Sequence, residues 1–247
     1  MDRLIYTAMT GASHILQQQA AVSENLANNN TPGFRAAINT FRAVPLVGEG
    51  LPTRVFVVDS TAGADFTPGS MQPTGRDLDV AIDGKGWIAV QTPDGKEAYT
   101  RNGSFQVTSN GILQTRSGLN VMGDSGTITV PPNTEVTIAK DGTISTVPTG
   151  AKPTGVVTVG RIRLTNPPES QMVRGEDGMF RTIDGKPAEA DSKVTVVMGN
   201  LESSNVNAVE AMVSMITLAR QFDTQMKMLQ TADNNAKAAG QLLNING

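Results

Sequence analysis

The stretch that most constrains the fold lies near the end of the chain, between Asn205 and Leu243. Its apolar residues recur in steps of three and four, which is typical of one face of an amphipathic helix. They are Met215, Leu218, Phe222, Leu229, Ala232, Ala236, Ala239 and Leu243, interrupted by Gln225. Asn207, with Glu210 three residues later, is a suitable N-terminal cap. A helix from Asn207 to Leu243 would be roughly 55 Å long, more than a domain of this size needs to cover its core, and therefore predicts a packing partner.

A second amphipathic helix is predicted at the other end of the chain, from Asp2 to Asn28. Its periodic positions are Leu4, Ala8, Ala12, Ile15, Gln19, Val22 and Leu26. The run from Asn28 to Gly33 ends it, because asparagine tolerates the left-handed cap conformation and Pro32 forbids continuation of the helix. Two matching helices at opposite ends of one chain predict a coiled-coil-like pair.

The middle of the chain has a different pattern. Prolines among small and polar residues predict an extended linker at 31–75, with one strand near Arg54–Val58. Short β-type runs separated by turns such as Asp83-Gly84 and Asp94-Gly95 predict antiparallel strands from 76 onward, in a small sandwich or irregular barrel. Residues 166–193 are rich in turn residues, and 194–198 predict one more strand.

The predicted fold class is α+β, with long N- and C-terminal helices forming the coiled-coil-like pair and a central, mainly antiparallel β domain. The predicted division of the chain is a terminal helical domain at 1–30 and 203–247, an extended linker with a strand at 31–75 and a central β domain at 76–202.

Composition excludes several classes of function. The net charge of −3, with no run of Lys or Arg, argues against a nucleic-acid partner. The absence of cysteine excludes disulfides and thiolate metal sites. No run of about 20 apolar residues predicts a membrane-spanning helix. Asp2 and the glutamines Gln17–Gln19 interrupt any apolar core of a Sec export signal, so we expect none.

Candidate catalytic residues are few. Asp77 and Asp79 fall on one face of a strand and are the one carboxylate pair worth testing for glycan binding or cleavage, although a solvated strand edge explains them better. His14, the single histidine, lacks metal-ligating neighbours at suitable spacing. With no nucleophile motif either, we predict no catalytic, cofactor-binding or metal-binding residue, no cofactor, no small-molecule substrate and no enzyme activity.

Three segments together resemble a known family. They are NLANNNTPGF at 25–34, LDVAIDGKGWIAVQTPDGKEAYTRNGSFQV at 78–107 and LESSNVNAVEAMVSMI at 201–216. Together and in this order, they are similar to the bacterial flagellar axial proteins of the rod and hook family. The segment at 42–69 is most similar to the proximal rod members. A distal rod or hook-like subunit is the alternative within the family, and an exported glycan-binding β domain is the alternative outside it.

The resemblance implies a structural subunit of the flagellar basal-body rod, the hollow drive shaft that crosses the periplasm. The implied partners are other proximal and distal rod proteins and the flagellar type III export apparatus, through which the chain would leave the cell without a cleaved Sec signal. The family motifs imply an assembly motif at Asn25, Leu26, Ala27, Asn28, Thr31, Pro32, Gly33, Phe34, Ser204, Asn205, Val206 and Asn207. The helix pattern and the family together suggest helix-pairing positions at Ile15, Val22, Met215, Leu218, Phe222 and Leu229.

Overall fold

The computed structural model describes residues 2–45, 55–148 and 155–244. The chain forms two compact units, each built from segments that are distant in sequence. The first, here called the helical unit, consists of Met1–Asn28, Ala37–Asp65 and Val206–Gly247. The second, called the β unit, consists of Asn29–Ala36 and Phe66–Asn205. The domain division predicted from the sequence stays a prediction; by compactness, residues 37–65 group with the helices.

The helical unit contains two helices, α1 (Asp2–Ala27) and α2 (Ala208–Asn244). α1 ends at the predicted place, where the side-chain amide of Asn28 donates to the carbonyl of Glu24 at 2.9 Å. α2 begins after Asn207, whose Oδ1 accepts the backbone N–H groups of Val209 at 3.1 Å and Glu210 at 3.3 Å. The predicted cap at Asn207 is therefore confirmed. Neither helix, over its described residues, is long and apolar enough to cross a membrane.

A two-stranded antiparallel hairpin completes the helical unit. It consists of β1 (Ala37–Pro45) and β2 (Val55–Ala64), with Ala37 opposite Ala64 and Pro45 opposite Val55. The sequence predicted one strand here, near Arg54–Val58; Arg54 lies outside the described residues, and the second strand, β1, was missed. The hairpin packs along α1, where the rings of His14 and Phe41 meet edge to face at 5.4 Å and the side chain of Asn39 donates to the carbonyl of Gln17 at 3.3 Å.

The prediction of a coiled-coil-like helix pair is wrong. α1 packs against α2 but also against both hairpin strands, so the two helices are not an exclusive pair. Among the described side chains of α2, only Leu218 and Ala232 are buried. Midway between them the polar side chain of Gln225 lies over Gly11 of α1. A coiled coil needs a sustained apolar seam facing a partner helix, and a polar seam residue and a hairpin that shares α1 are inconsistent with it.

The β unit is built from short strands, and every pair in it is antiparallel. They are β3 (Met71–Pro73), β4 (Val80–Asp83), β5 (Trp87–Gln91), β6 (Glu97–Thr100), β7 (Phe105–Val107), β8 (Leu113–Thr115), β9 (Asn120–Gly123), β10 (Gly126–Thr127), β11 (Thr134–Ile138), β12 (Thr143–Pro148), β13 (Val157–Arg161), β14 (Leu164–Thr165), β15 (Met172–Arg174), β16 (Phe180–Thr182), β17 (Thr195–Met198) and β18 (Asn200–Glu202). A 3₁₀ turn, Glu169–Gln171, precedes β15.

The strands form one large sheet and three small ones. The large sheet has the order β15-β16-β6-β5-β9-β8-β7, with β14 added at β5 and β10 at β9. The small ones are β11-β12-β13, β17-β4 and β18-β3. β17 confirms the strand predicted at 194–198, whereas the predicted turn region 166–193 also contains the hairpin β15–β16. That hairpin contributes Phe180, whose ring packs on Trp87 at 4.5 Å and on Phe66 at 5.7 Å.

The core of the β unit is mainly aliphatic. Its fully buried side chains come from alternate positions of strands in all parts of the unit: Val80, Ile82, Ile88, Val90, Phe105, Leu113, Val121, Ile144, Ile162 and Leu164. Gly103 lies against the carbonyl of Val80, where any side chain would collide. The sequence Asn102-Gly103 is typical of a turn, but the glycine is required here because its backbone lies close to that of Val80.

A buried phenol lies at the edge of this core. The hydroxyl of Tyr99 donates to Glu97 at 2.9 Å and accepts the backbone N–H of Ala188 at 2.6 Å. Glu97 also lies 3.5 Å from Arg163. Burial, reinforced by the hydrogen bond to Glu97 and opposed by the Ala188 N–H, raises the pKa of Tyr99 from 10.0 to about 12.

This shift predicts a loss of stability at high pH. Because the unfolded chain loses the Tyr99 proton first, the free energy of unfolding is unaffected below pH 10 and falls between pH 10 and about 12, by up to about 2 kcal/mol. Tyr99→Phe removes this fall, while costing about 1 kcal/mol at neutral pH through the lost hydrogen bonds. Urea unfolding across this pH range measures both effects. Tyr6→Phe, on an exposed part of α1, is the control; if it removed the fall as well, Tyr99 would not be the cause.

Candidate functional site

The two motif segments of the sequence meet in the β unit above one buried carboxylate. We call residues 29–36 the N-terminal loop and residues 200–205 the return segment. The backbone N–H of Gly33 donates to the carbonyl of Glu202 at 2.8 Å, and the N–H of Asn205 donates to the carbonyl of Phe34 at 3.4 Å. These two hydrogen bonds join main-chain groups of residues that are 169 and 171 positions apart in the sequence.

The Glu202 side chain is the centre of a buried charge cluster. One carboxylate oxygen, Oε1, lies 2.7 Å from Nη1 of Arg35 and accepts the backbone N–H of Gly69 at 2.9 Å. The other, Oε2, accepts Nε of Arg101 at 2.6 Å. The side chains of Arg35 and Glu202 are 1% exposed, and that of Arg101 is 4% exposed. A carboxylate can be buried this deeply because its two oxygens interact with two guanidinium groups and one backbone N–H.

Arg101 extends the cluster into the turn between β4 and β5. Its guanidinium donates to the carbonyls of Gly86 and Gly84, both at 2.8 Å, and to that of Ile82 at 3.5 Å. Burial lowers the pKa of Arg101, Glu202 opposes that shift, and the neighbouring Arg35 adds to it. The cluster carries two positive charges and one negative, so these backbone dipoles offset part of the excess charge.

The N-terminal loop reaches this cluster through a specific backbone shape. Gly33 has a φ of +69°, and a side chain there would overlap the backbone of Arg101 and Asn102. The buried ring of Phe34 lies under the guanidinium of Arg174, 4.5 Å from its centroid. Arg174 also donates to the carbonyl of Arg35 at 3.3 Å. Glycine and phenylalanine of the TPGF motif are thus both required by packing.

Asn205 fastens the return segment to two other stretches of chain. Its Oδ1 accepts the backbone N–H of Ala36 at 2.7 Å, and its Nδ2 donates to the carbonyl of Thr67 at 3.1 Å. Because the main-chain N–H also binds Phe34, this residue joins three segments at once. β18, pairing with β3, holds the rest of the return segment in place.

The predicted assembly-motif residues fall into both units. Thr31, Pro32, Gly33, Phe34, Ser204 and Asn205 belong to the β unit, and Asn25, Leu26, Ala27, Asn28, Val206 and Asn207 belong to the helical unit. In the helical unit Asn25 bonds both backbone groups of Ala37, accepting at 2.7 Å and donating at 2.9 Å, and so ties the start of β1 to α1. Their role in assembly stays a prediction.

The predicted helix-pairing positions all lie in the helical unit. Ile15 and Leu218 are buried, and Val22, Met215, Phe222 and Leu229 are half-buried. The sequence did not predict Arg35, Arg101 or Glu202 as a site. Arg35 adjoins the TPGF motif and Glu202 lies in the LESSN segment, but nothing in the sequence indicates which charges pair.

The carboxylate pair considered for glycan chemistry does not form. Asp79 is buried, with Oδ1 3.1 Å from Nη1 of Arg76, whereas Asp77 is exposed. The expectation of a solvated strand edge is wrong for Asp79, which is buried because Arg76, three residues earlier, supplies a counter-charge. In the described part of the chain, no cluster of three or more His, Asp or Glu could hold a metal ion.

Comparison with known proteins identifies the family. Three family models match: "Flagella basal body rod protein" at residues 5–35, "Flagellar hook protein FlgE/F/G D1 domain" at 81–146 and "Flagellar basal body rod FlgEFG protein C-terminal" at 197–242. The flagellar basal-body rod protein FlgF of Escherichia coli (strain K12) is 51% identical over 99% of this chain and 100% of its own length. The FlgF of Salmonella typhimurium (strain LT2) is 48% identical over the same shares. The chain belongs to the FlgF family of flagellar basal-body rod proteins.

The wider rod family is also visible. The flagellar basal-body rod protein FlgG of Borreliella burgdorferi is 31% identical over 98% of this chain and 99% of its own. Family membership confirms that the chain is a structural subunit of the flagellar rod and not an enzyme. It places the chain in the flagellar basal body and implies assembly with other rod components.

The site predicts a large difference between two glycines with the same backbone conformation. Gly33 and Gly75 have φ values of +69° and +68°, but an added Cβ at Gly75 would meet nothing within 4 Å. Gly75→Ala should cost about 1 kcal/mol from backbone strain alone. Gly33→Ala should cost about 2 to 4 kcal/mol because its Cβ also meets backbone that cannot rotate away. Urea unfolding followed by the fluorescence of Trp87, the single tryptophan, measures the difference; equal costs would show that the N-terminal loop is not tightly seated.

Proposed function

We propose that this rod subunit belongs to the proximal part of the rod and joins its neighbours through an exposed apolar face of α2. The observation that carries the proposal is a stripe of exposed apolar side chains, called the apolar stripe, at the start of α2: Val209, Met212, Val213 and Ile216. Their exposed fractions range from 52% to 71%. The spacing of three and four places them on one side of the helix.

The apolar stripe is distinct from the face that packs within the chain. Val209 and Leu218 are nine residues apart, two and a half helical turns, and so lie on opposite sides of α2. Leu218 is 8% exposed and Val209 71%. The predicted helix-pairing positions Ile15, Val22, Met215, Leu218, Phe222 and Leu229 would then join α1 to α2 within the subunit, which leaves the opposite face for other subunits.

The surroundings of the apolar stripe fit a helical partner. A groove of about 400 Å³ lies beside it in the helical unit, lined by residues that include Val22, Ala37, Val213 and Leu218. Further along the same side of the helix the residues become polar or charged, as at Arg220, Lys227 and Asn234. Burying an exposed apolar stripe stabilises an interface by about 25 cal/mol for each Å² removed from water. Contacts that do not close on themselves generate a helical stack, which a rod requires.

We also propose that the subunit leaves the cell through the flagellar type III export apparatus, without a cleaved Sec signal, and that the rod it enters crosses the periplasm. The support is membership in the family of flagellar basal-body rod proteins. Secretion of the subunit should stop in a strain that lacks a working flagellar export apparatus and persist when Sec export is blocked.

Charge on the apolar stripe should block assembly without unfolding the subunit. We expect Val213→Asp together with Ile216→Asp to abolish swimming and to leave the subunit out of purified basal bodies, because both carboxylates would be buried unpaired at the interface. Helix content and the urea midpoint should stay close to those of the unmodified subunit, since both residues are exposed. Asn234→Asp, on the same side of α2 in its polar part, is the matched control and should assemble normally. Normal rods from the double variant would contradict the proposed interface.

Position in the rod requires a separate experiment. Deleting the gene should arrest the structure next to the inner-membrane ring, with no distal rod visible by electron microscopy of basal bodies. A rod of normal length that lacks only its outer end would instead indicate a distal subunit.

A further inference from the structure

The charge cluster of the β unit is completed by the last segment of that unit. The core strands from β4 to β17 end at Met198, whereas Glu202 follows them in the chain. Arg35 and Arg101 precede Glu202 by 167 and 101 residues. Both buried cations therefore depend on one carboxylate that is the last part of the unit to be added in chain order.

Without the return segment the β unit would contain two facing positive charges in a site closed to water. The two guanidinium groups bind different oxygens of the same carboxylate, at 2.7 Å and 2.6 Å. Removing one partner of a buried ion pair typically costs several kcal/mol, because the remaining charge is left uncompensated. Here the loss of Glu202 would leave two such charges. The site would have to open and admit water, or the arginines would have to leave it.

Opening at this site cannot be confined to the surface. Arg101 holds the carbonyls of Gly84 and Gly86, which form the turn between β4 and β5. Both strands contribute fully buried side chains to the core, with Ile82 and Ile88 at most 1% exposed. On the other side, the backbone N–H of Gly33 donates to the carbonyl of Glu202 and that of Gly69 donates to its Oε1. A displaced Arg101 therefore removes the contacts that position the central strands.

We propose that the return segment is a folding lock, such that the β unit becomes stable only when residues 200–205 dock and Glu202 neutralises Arg35 and Arg101. While residues 200–205 are not docked, the whole β unit stays unfolded, including its core strands and not only the segments around Glu202. This inference rests on the contacts of the β unit alone and is independent of the proposed function.

Hydrogen exchange of the full-length chain tests the lock. Glu202→Gln keeps the shape of the side chain and removes the charge. We expect exchange at the backbone amides of Val90 in β5 and Val121 in β9, two core residues that contribute no group to the cluster, to accelerate by about a hundredfold or more, together with that of residues 29–36. Glu189→Gln, at an exposed position of the same unit, is the matched control and should leave exchange unchanged.

A second variant covers the case in which Glu202→Gln fails to fold. Asn205→Ala removes the bonds to Ala36 and Thr67 and leaves no buried charge unpaired. We expect a smaller acceleration, about tenfold, with the same distribution over β5 and β9. The proposal would be overturned if either folded variant accelerated exchange only in residues 29–36 and 200–205 while β5 and β9 kept their original rates. The return segment would then stabilise only its immediate surroundings.

Discussion

Glu202 binds Arg35 through one carboxylate oxygen and Arg101 through the other, and all three side chains are almost inaccessible to water. The N-terminal loop contributes Arg35 to this cluster and the return segment contributes Glu202. The turn between β4 and β5 contributes the carbonyls that Arg101 binds. Because a buried charge without a partner is far more costly than any exposed contact, the three segments are coupled more tightly than their individual hydrogen bonds would suggest. The positive φ of Gly33, the packing of Phe34 under Arg174 and the hydrogen bonds of Asn205 all hold the main chain close to this carboxylate.

The helical unit depends on the packing of its two helices instead of on a buried charge cluster. α1 buries Ala8, Ala12 and Ile15 and packs against both α2 and the β1–β2 hairpin, so one helix has two partners. α2 is packed on one side only, and its opposite side begins with the apolar stripe. A face of exposed valine, methionine and isoleucine has an unfavourable hydration free energy in the isolated subunit, which burial by a neighbour would remove. Polymerisation through this face would be stabilised by burial of apolar surface that stays exposed in the folded subunit.

The helices were predictable because their signals are local. Apolar spacing, the asparagines at Asn28 and Asn207 and the break at Pro32 act within a few residues, and the structure places the helix ends there. The turns and most short strands of the β unit were predictable for the same reason. β1 and the β15–β16 hairpin were missed because the prolines and turn residues around them predicted a linker and a turn-rich region, although both contain strand-favouring residues such as Ile38, Phe41 and Phe180. Pairing with β2 and packing on α1 define the first, and packing around Phe180 defines the second.

The sequence by itself determined the two end helices, the antiparallel character of the centre and, through its motifs, membership in the rod family. Only the tertiary structure decided that α1 shares its surface with a hairpin instead of forming a coiled coil, and that Asp79 is buried beside Arg76. It also decided that Arg35, Arg101 and Glu202 form one cluster. Local patterns record the preferences of neighbouring residues, whereas the pairing of charges 101 and 167 residues apart depends on the path of the whole chain and on the water that this path excludes.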